Sequence, residues 1–324
     1  MSFCIALSMC LIQLAKTQSI PVQDTATTIN KGRMYLLAGG AAAGYCGGMT
    51  LLYKAWYSNQ PQSAFHFFDD HAEWQQVDKW GHVFSAYTEA RFAHAALRWA
   101  GMPDTKATWW GLGGGILFQS TIEVFDGFSE KWGFSWSDML ANCIGGATFF
   151  SQQHYWKEQR ISLKISSDFR KYSHTIISAQ NDPLQRDDLY RRTNDLFGSN
   201  PATRLLKDYN AQTNWFSINP AAFLHTPPNW LPHWLNIAVG YSAENMFGGY
   251  SNSWMYDGAT FHLNSSTYPR YRQFVLSPDI DFSKLKTKST FMKTLFSLMN
   301  CIKVPAPGLE YNTLGKVKWH WIYF

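Results

Sequence analysis

The chain has 324 residues, a formal net charge of +5, and a composition that is 46% hydrophobic but only 16% charged, against about 25% charged in ordinary soluble domains. So small a positive excess, with no basic run interleaved with stacking aromatics, argues against nucleic acid as a partner. Aromatics make up 17%, with 15 Trp, 16 Tyr and 23 Phe, which fits either a large aromatic core or a surface that meets a membrane interface.

Residues 1–19, MSFCIALSMCLIQLAKTQS, carry an apolar run from Phe3 to Leu14 followed by small or polar residues. This is the outline of a cleaved export signal, with a retained anchor as the alternative. Cys10 follows LSM, a poor lipoprotein box because Met9 is bulky. Cys46, Cys143 and Cys301 are widely spaced and odd in number, so neither a disulfide framework nor a CxxC metal pattern is expected. They read as small buried hydrophobes.

Residues 20–32 are a polar lead-in. Met34 to Tyr53 is uncharged and long enough to cross a bilayer. Gly40, Gly44 and Gly48 give it a smooth stripe that suits close helix packing, in a membrane or in a globular bundle. A second helix is expected from Asp78 to Trp99, a third from Ala107 to Phe125 with Gly111 and Gly115 on one face, and a fourth after a Ser135 or Ser137 cap. DGFSEKWGFS (126–135) is the turn between the last two.

After about Lys157 the period changes from helical to two. RISLKIS, YNAQTNWFSI, LNIAVGYSA, QFVLSPDIDF and KVKWHWIYF each place unlike residues on two faces, giving about five strands, with a short helix over 288–300 among them. In the last strand Val317, Trp319, Trp321 and Tyr323 share a face. LSPDIDF and VPAPGLE read as strand ends or loops. The closing WHWIYF resembles the terminal strand of outer-membrane β-proteins, but five strands fall short of the eight of a small barrel. An ordinary sheet packed on the helices is the alternative.

VDKWGH (77–82) puts Asp78, Lys79 and His82 at the head of the second helix, with Asp78 and His82 one turn apart. Glu123 and Asp126 end the third helix; Asp138 and Asn142 begin the fourth. Up-down-up connectivity brings those three termini to one end of a bundle. Three uses are open: a satisfied network that registers the helices, a ligand or lipid-headgroup site, and a catalytic or metal site with His82, Glu123 and Asp138 as candidate catalytic residues. Lys79 can neutralise a carboxylate. No metal and no cofactor is expected, because neither Glu-x-x-His nor His-Glu-x-x-His is present. A second polar patch, Asp208, Tyr209, Asn210, Gln212, Asn214 and Trp215, suits sugar or headgroup binding, or else the polar outer face of an edge strand.

DKWGH, IEVFDGFSEKWGFSWSD and ANCIGG resemble the YfiM-like family of periplasmic lipoproteins, a domain of unknown function. The wider pattern, Asp-Lys-x-x-His, then Glu, then Asp-x-x-x-Asn-x-x-Gly, resembles VanZ-like membrane proteins. FHFFDD, KDYNAQTNWFS, PHWLNIAVGYSA, LSPDIDF and PAPGLE extend the first likeness along most of the chain. The resemblance implies a cell-envelope address, at the periplasmic face of the outer membrane or integral to it.

These readings describe an α+β protein: a signal over 1–19, a four-helix module over 20–156, and an antiparallel β-rich region over 157–324. The expected role is structural or ligand-binding, with a membrane lipid or envelope component as partner. The alternative is an enzyme acting on an envelope lipid or glycan.

Overall fold

A computed structural model describes residues 28–58, 61–168 and 170–324; the expected export signal lies outside them. The first described helix, α1 (Lys31–Leu52), is capped by Asn30, whose side chain accepts from the Arg33 amide at 2.9 Å. Leu37 and Gly48 are buried and Gly40 and Gly44 half-buried, so the glycine stripe is on its inward side. Among the described residues no helix is long and apolar enough to cross a membrane.

Three helices form the bundle: α2 (Val77–Trp99), α3 (Asp104–Asp126) and α4 (Trp136–Trp156). Glycines set how close they come. A Cβ on Gly115 of α3 would lie 2.7 Å from the Ala86 carbonyl oxygen of α2, and one on Gly145 of α4 would strike the Val83 carbonyl. Backbone therefore meets backbone, and α2 is gripped from two sides. Ser135 caps α4 as expected, accepting from the Asp138 amide at 3.1 Å.

Beyond the bundle come β1 (Ile161–Ser167), a β2–β3 hairpin (Ile176–Ser178, Arg186–Asp188), two short helices α5 (Leu189–Phe197) and α6 (Pro201–Lys207), and β4 (Gln212–Ile218). Then follow β5 (Leu235–Glu244), a β6–β7 hairpin (Ser253–Tyr256, Ala259–His262), β8 (Tyr271–Ile280), α7 (Thr290–Met299), β9 (Ala306–Asn312) and β10 (Val317–Tyr323). The main sheet has six antiparallel strands in the order β1-β4-β5-β8-β9-β10. The small hairpins share a satellite core built on Leu189, Phe247, Trp254 and Phe261.

Two expectations need correction, and one open reading is decided: of strand end or loop, VPAPGLE is the start of a strand, β9, from Ala306. Pro307 falls where the β9–β10 register shifts between His320 and Tyr323, and it has no amide hydrogen for the ladder there. The same bulge breaks the alternation of β10, so Tyr323 leaves the face of Trp319 and turns inward to meet Trp215, ring centroids 5.8 Å apart. Cys46 and Cys143 are exposed and only Cys301 is partly buried, so the cysteines are not uniformly core residues.

The sheet's register aligns one apolar row across all six strands: Leu163, Phe216, Val239, Leu276, Leu309 and Trp319. On β1 and β4 this row lies beneath α2, where Leu163 and Ile165 join Val83, Phe84 and Tyr87 in one core. From β5 onward it emerges into the open. Leu163 is 3% exposed, whereas Leu276 is 51%, Leu309 44% and Trp319 55% exposed. The opposite face is polar and enclosed, because the sheet curls until Trp215 of β4 reaches Tyr323 of β10. An ordinary sheet packed on helices is thus only half the description: its apolar side is covered at one end alone.

Candidate functional site

The three helix termini do converge. Asp78, Lys79 and His82 come from the first turns of α2, Glu123 and Asp126 from the last turn of α3, and Asp138 and Asn142 from the first turns of α4. Lys79 reaches three carboxylates, at 2.5 Å from Asp138, 2.7 Å from Asp70 and 3.2 Å from Asp78. The His82 ring lies between α3 and α4. Its Nδ1 is 3.1 Å from the Asn142 Oδ1 and 3.7 Å from Glu123, and its Nε2 is 3.6 Å from Asp138.

An unusual entry turn aims the head of α2. Trp74, Gln75 and Gln76 all have positive φ, at 49°, 52° and 63°, where each non-glycine residue costs on the order of 1–2 kcal/mol. Packing of Trp74 against the Tyr209 ring (5.3 Å) and a Trp74 amide bond to Gly249 (2.9 Å) help hold the turn. Left-handed turns of this kind have no side-chain signature in EWQQ.

Two groups of the second patch matter here. Tyr209 donates to Asp78 at 2.6 Å, and Gln212 lines the same cavity as His82. The rest of that patch is internal wiring. Asp208 accepts from Tyr172 at 2.8 Å, Asn210 bonds the Met246 backbone at 2.9 and 2.7 Å, and Trp215 donates to Ser166 at 2.8 Å. Asn214 is buried. Neither an exposed sugar platform nor an edge strand is present at these residues, because β4 lies between β1 and β5 with both edges paired.

Sequence reasoning missed Asp70 as a member; it accepts from Ser135 (2.6 Å) and Ser137 (2.7 Å) at the start of α4. It also missed Tyr57, which donates to Asp126 at 2.6 Å, and the Gln119–Glu89 pair at 2.6 Å. Glu89 is seven residues after His82 and Gln119 four before Glu123, so helical spacing would have found that pair.

A cavity of about 190 Å³ opens beside the cluster, lined among others by Asp70, Glu73, Asp78, His82, Glu89, Asp126, Asp138, Trp74 and Tyr209. Its electrostatics follow from burial among acids. Burial pushes the Glu123 carboxyl up to about 9 and Glu89 to about 8. Burial also raises Asp126 and Asp138 to about 7. For His82 burial acts downward, but Asp138, Glu123 and Asp78 outweigh it and lift the imidazole to about 9. Burial would raise Asp70, yet hydrogen bonds from Asp138 and Lys79 hold it at about 2. Several polar atoms remain without hydrogen-bond partners: both oxygens of Glu123, the Glu89 Oε2 and the Asn142 Nδ2.

Residues 66–152 match a family model described as predicted periplasmic lipoprotein (DUF2279). The matched stretch contains every cluster residue from α2, α3 and α4, together with Asp70 and Glu89, and ends before the sheet begins. No curated protein and no solved structure matches the chain. The likeness is therefore to a family of unknown function, over a little more than a quarter of the length.

Proposed function

We propose that this is a membrane-associated cell-envelope protein on the periplasmic side, which lies against lipid through its sheet and holds a small ligand in the cavity at the end of its bundle. One observation carries the membrane half: from β5 to β10 the sheet is apolar outside and polar inside. Antiparallel sheets with one wet face ordinarily alternate the other way, and leaving a large apolar side chain in water forgoes about 1.5–3 kcal/mol. Lipid-facing strands show the present polarity. Exposed Lys316, in the turn that leads into β10, suits anionic headgroups. The family description of residues 66–152 and the YfiM-like and VanZ-like resemblances of DKWGH and its partner segments support an envelope address.

Flotation with phosphatidylethanolamine–phosphatidylglycerol vesicles tests this. The purified chain is expected to float with the vesicles, and a Val239→Asp, Leu276→Asp, Leu309→Asp variant to stay at the bottom with an unchanged circular dichroism spectrum. A wild-type chain that ignores vesicles would sink the membrane reading. A second reading, an enzyme acting on an envelope lipid or glycan through His82, Glu123 and Asp138, draws support from the cavity that opens onto His82 and Asp138. Loss of envelope function in a folded His82→Ala protein would favour it.

A further inference from the structure

We infer that the end of the bundle binds a divalent transition-metal cation of the zinc or manganese type, held by Asp78, His82 and Asp138, with Glu123 beside the imidazole as an outer group. This inference is independent of the membrane reading, and it departs from the sequence-based expectation of no metal. The three named residues each offer one donor atom, and those atoms all lie within 4.8 Å of one another. With metal–ligand bonds of about 2.0–2.2 Å, neighbouring donors in a tetrahedral shell lie roughly 3.4 Å apart, so side-chain shifts of up to about an ångström complete the shell. Clustered acids alone would prove little. The second observation is Glu123, 1% exposed, with neither carboxylate oxygen accepting a hydrogen bond and its Oε1 3.7 Å from the imidazole. A buried carboxyl left without partners costs several kcal/mol in an inert network; a cation bound at the neighbouring imidazole would offset that cost.

Charge and donor type agree. Asp70, Asp78, Glu123, Asp126 and Asp138 gather around Lys79 and His82, so acids outnumber these cations at this end of the bundle. Lys79 bridges Asp78 and Asp138 but also holds Asp70 at 2.7 Å, so it keeps a partner when the other two turn to a metal. One imidazole plus carboxylates suits zinc or manganese better than thiophilic ions, and the Asn142 bond to the His82 Nδ1 fixes the ring so that Nε2 faces Asp138.

The test is calorimetric titration of the chelator-washed full chain with zinc chloride and manganese chloride, alongside thermal melts. One equivalent of at least one ion is expected to bind and to raise the melting temperature. Binding should weaken at least about tenfold in His82→Ala, Asp138→Asn and the near-isosteric Glu123→Gln. Glu123→Gln keeps the test decisive if the other variants fail to fold. Lys79→Met should bind more tightly, because the competing ammonium is gone. Exposed pairs such as His71–Asp69 and His174–Asp188 can also take zinc. Binding that persists at full strength in His82→Ala and Glu123→Gln belongs to such pairs and overturns the proposal, as does no binding to the wild type.

Discussion

Two buried polar networks sit at either side of the same core, and they are finished to different degrees. Inside the curled sheet, Lys164 pairs with Asp279 at 2.7 Å with both side chains fully enclosed, Ser217 donates to Asp279 at 2.6 Å, and Asn236 donates to Ser217 at 2.8 Å. The Lys164 ammonium also reaches the Ile280 carbonyl at 2.7 Å. There the charged groups are paired and a neutral amide oxygen, Asn236 Oδ1, is left without a partner; at the end of the bundle both oxygens of the Glu123 carboxyl, the Glu89 Oε2 and the Asn142 Nδ2 are left so, and Glu89 lines the open cavity. A paired network is what a fold needs to enclose polar groups. An unpaired one, next to space, is what a site needs to receive something. That difference marks the sheet interior as structural and supports the ligand site proposed at the bundle end.

The sharpest way to break this comparison is to remove one partner from the finished network. Lys164→Ala leaves Asp279 enclosed and uncompensated, and is expected to destabilise by about 3–5 kcal/mol in denaturant unfolding. Joint replacement of Lys164 and Asp279 by Met and Leu should recover most of that loss, because the cost lies in the orphaned charge. Glu123→Gln, in the unfinished network, should cost far less or stabilise. Equal losses at the two sites would mean that the bundle end is simply a second structural network.

The pH dependence separates the regions by sign. Burial lifts Glu89 from its ordinary 4.5 to about 8. Between those values the unfolded chain has lost a proton that the folded chain keeps, so stability falls as pH rises through that window. The slope should integrate to on the order of a few kcal/mol and flatten in Glu89→Gln. Burial lowers Lys303, inside the sheet beside Trp215, from 10.5 to about 8. Between about 8 and 10.5 the unfolded chain holds the extra proton, so stability rises with pH there, by a smaller amount, and Lys303→Met should remove the rise. Urea melts of the wild type and both variants across pH 4.5 to 10.5 isolate each group as the wild-type-minus-variant difference, since His82 and Glu123, both raised to about 9, also contribute a fall up to that pH; the same sign in the two differences would contradict the burial of one group or the other.

Much of this was legible in the residues. Helical spacing placed Asp78 with His82, Glu123 with Asp126 and Asp138 with Asn142, and short connections forced their termini together. Period two marked the strands and sorted each into two faces. What alternation could not say is which face would be inside. A strand reads the same whether its apolar side meets helices or solvent, and only the curl that brings Trp215 to Tyr323 settles that the polar side is enclosed. Asp70 and Tyr57 were invisible for a different reason. They enter from connecting segments whose path depends on long-range contacts, such as the pairing of Phe67 with Phe134. Likewise β9 was hidden by Pro307, which only a bulge in its neighbour accommodates.

The smallest expected effect comes from the open half of the apolar row, and it is informative because the row is one register. Leu163 and Leu276 stand three strands apart in line, on the same face. Truncating a core leucine such as Leu163 to Ala should cost about 2–5 kcal/mol. Leu276→Thr, with half its side chain already in water, should change stability in aqueous buffer by no more than about 0.5 kcal/mol. Threonine is also a good strand residue, so the fold gives no reason to keep leucine there. If Leu276→Thr is silent in solution yet weakens vesicle binding, the leucine serves an environment that the isolated chain lacks. If instead it destabilises the chain in buffer as Leu163→Ala does, another part of the protein covers that face, and the outward polarity of β5 to β10 is no longer an argument for lipid.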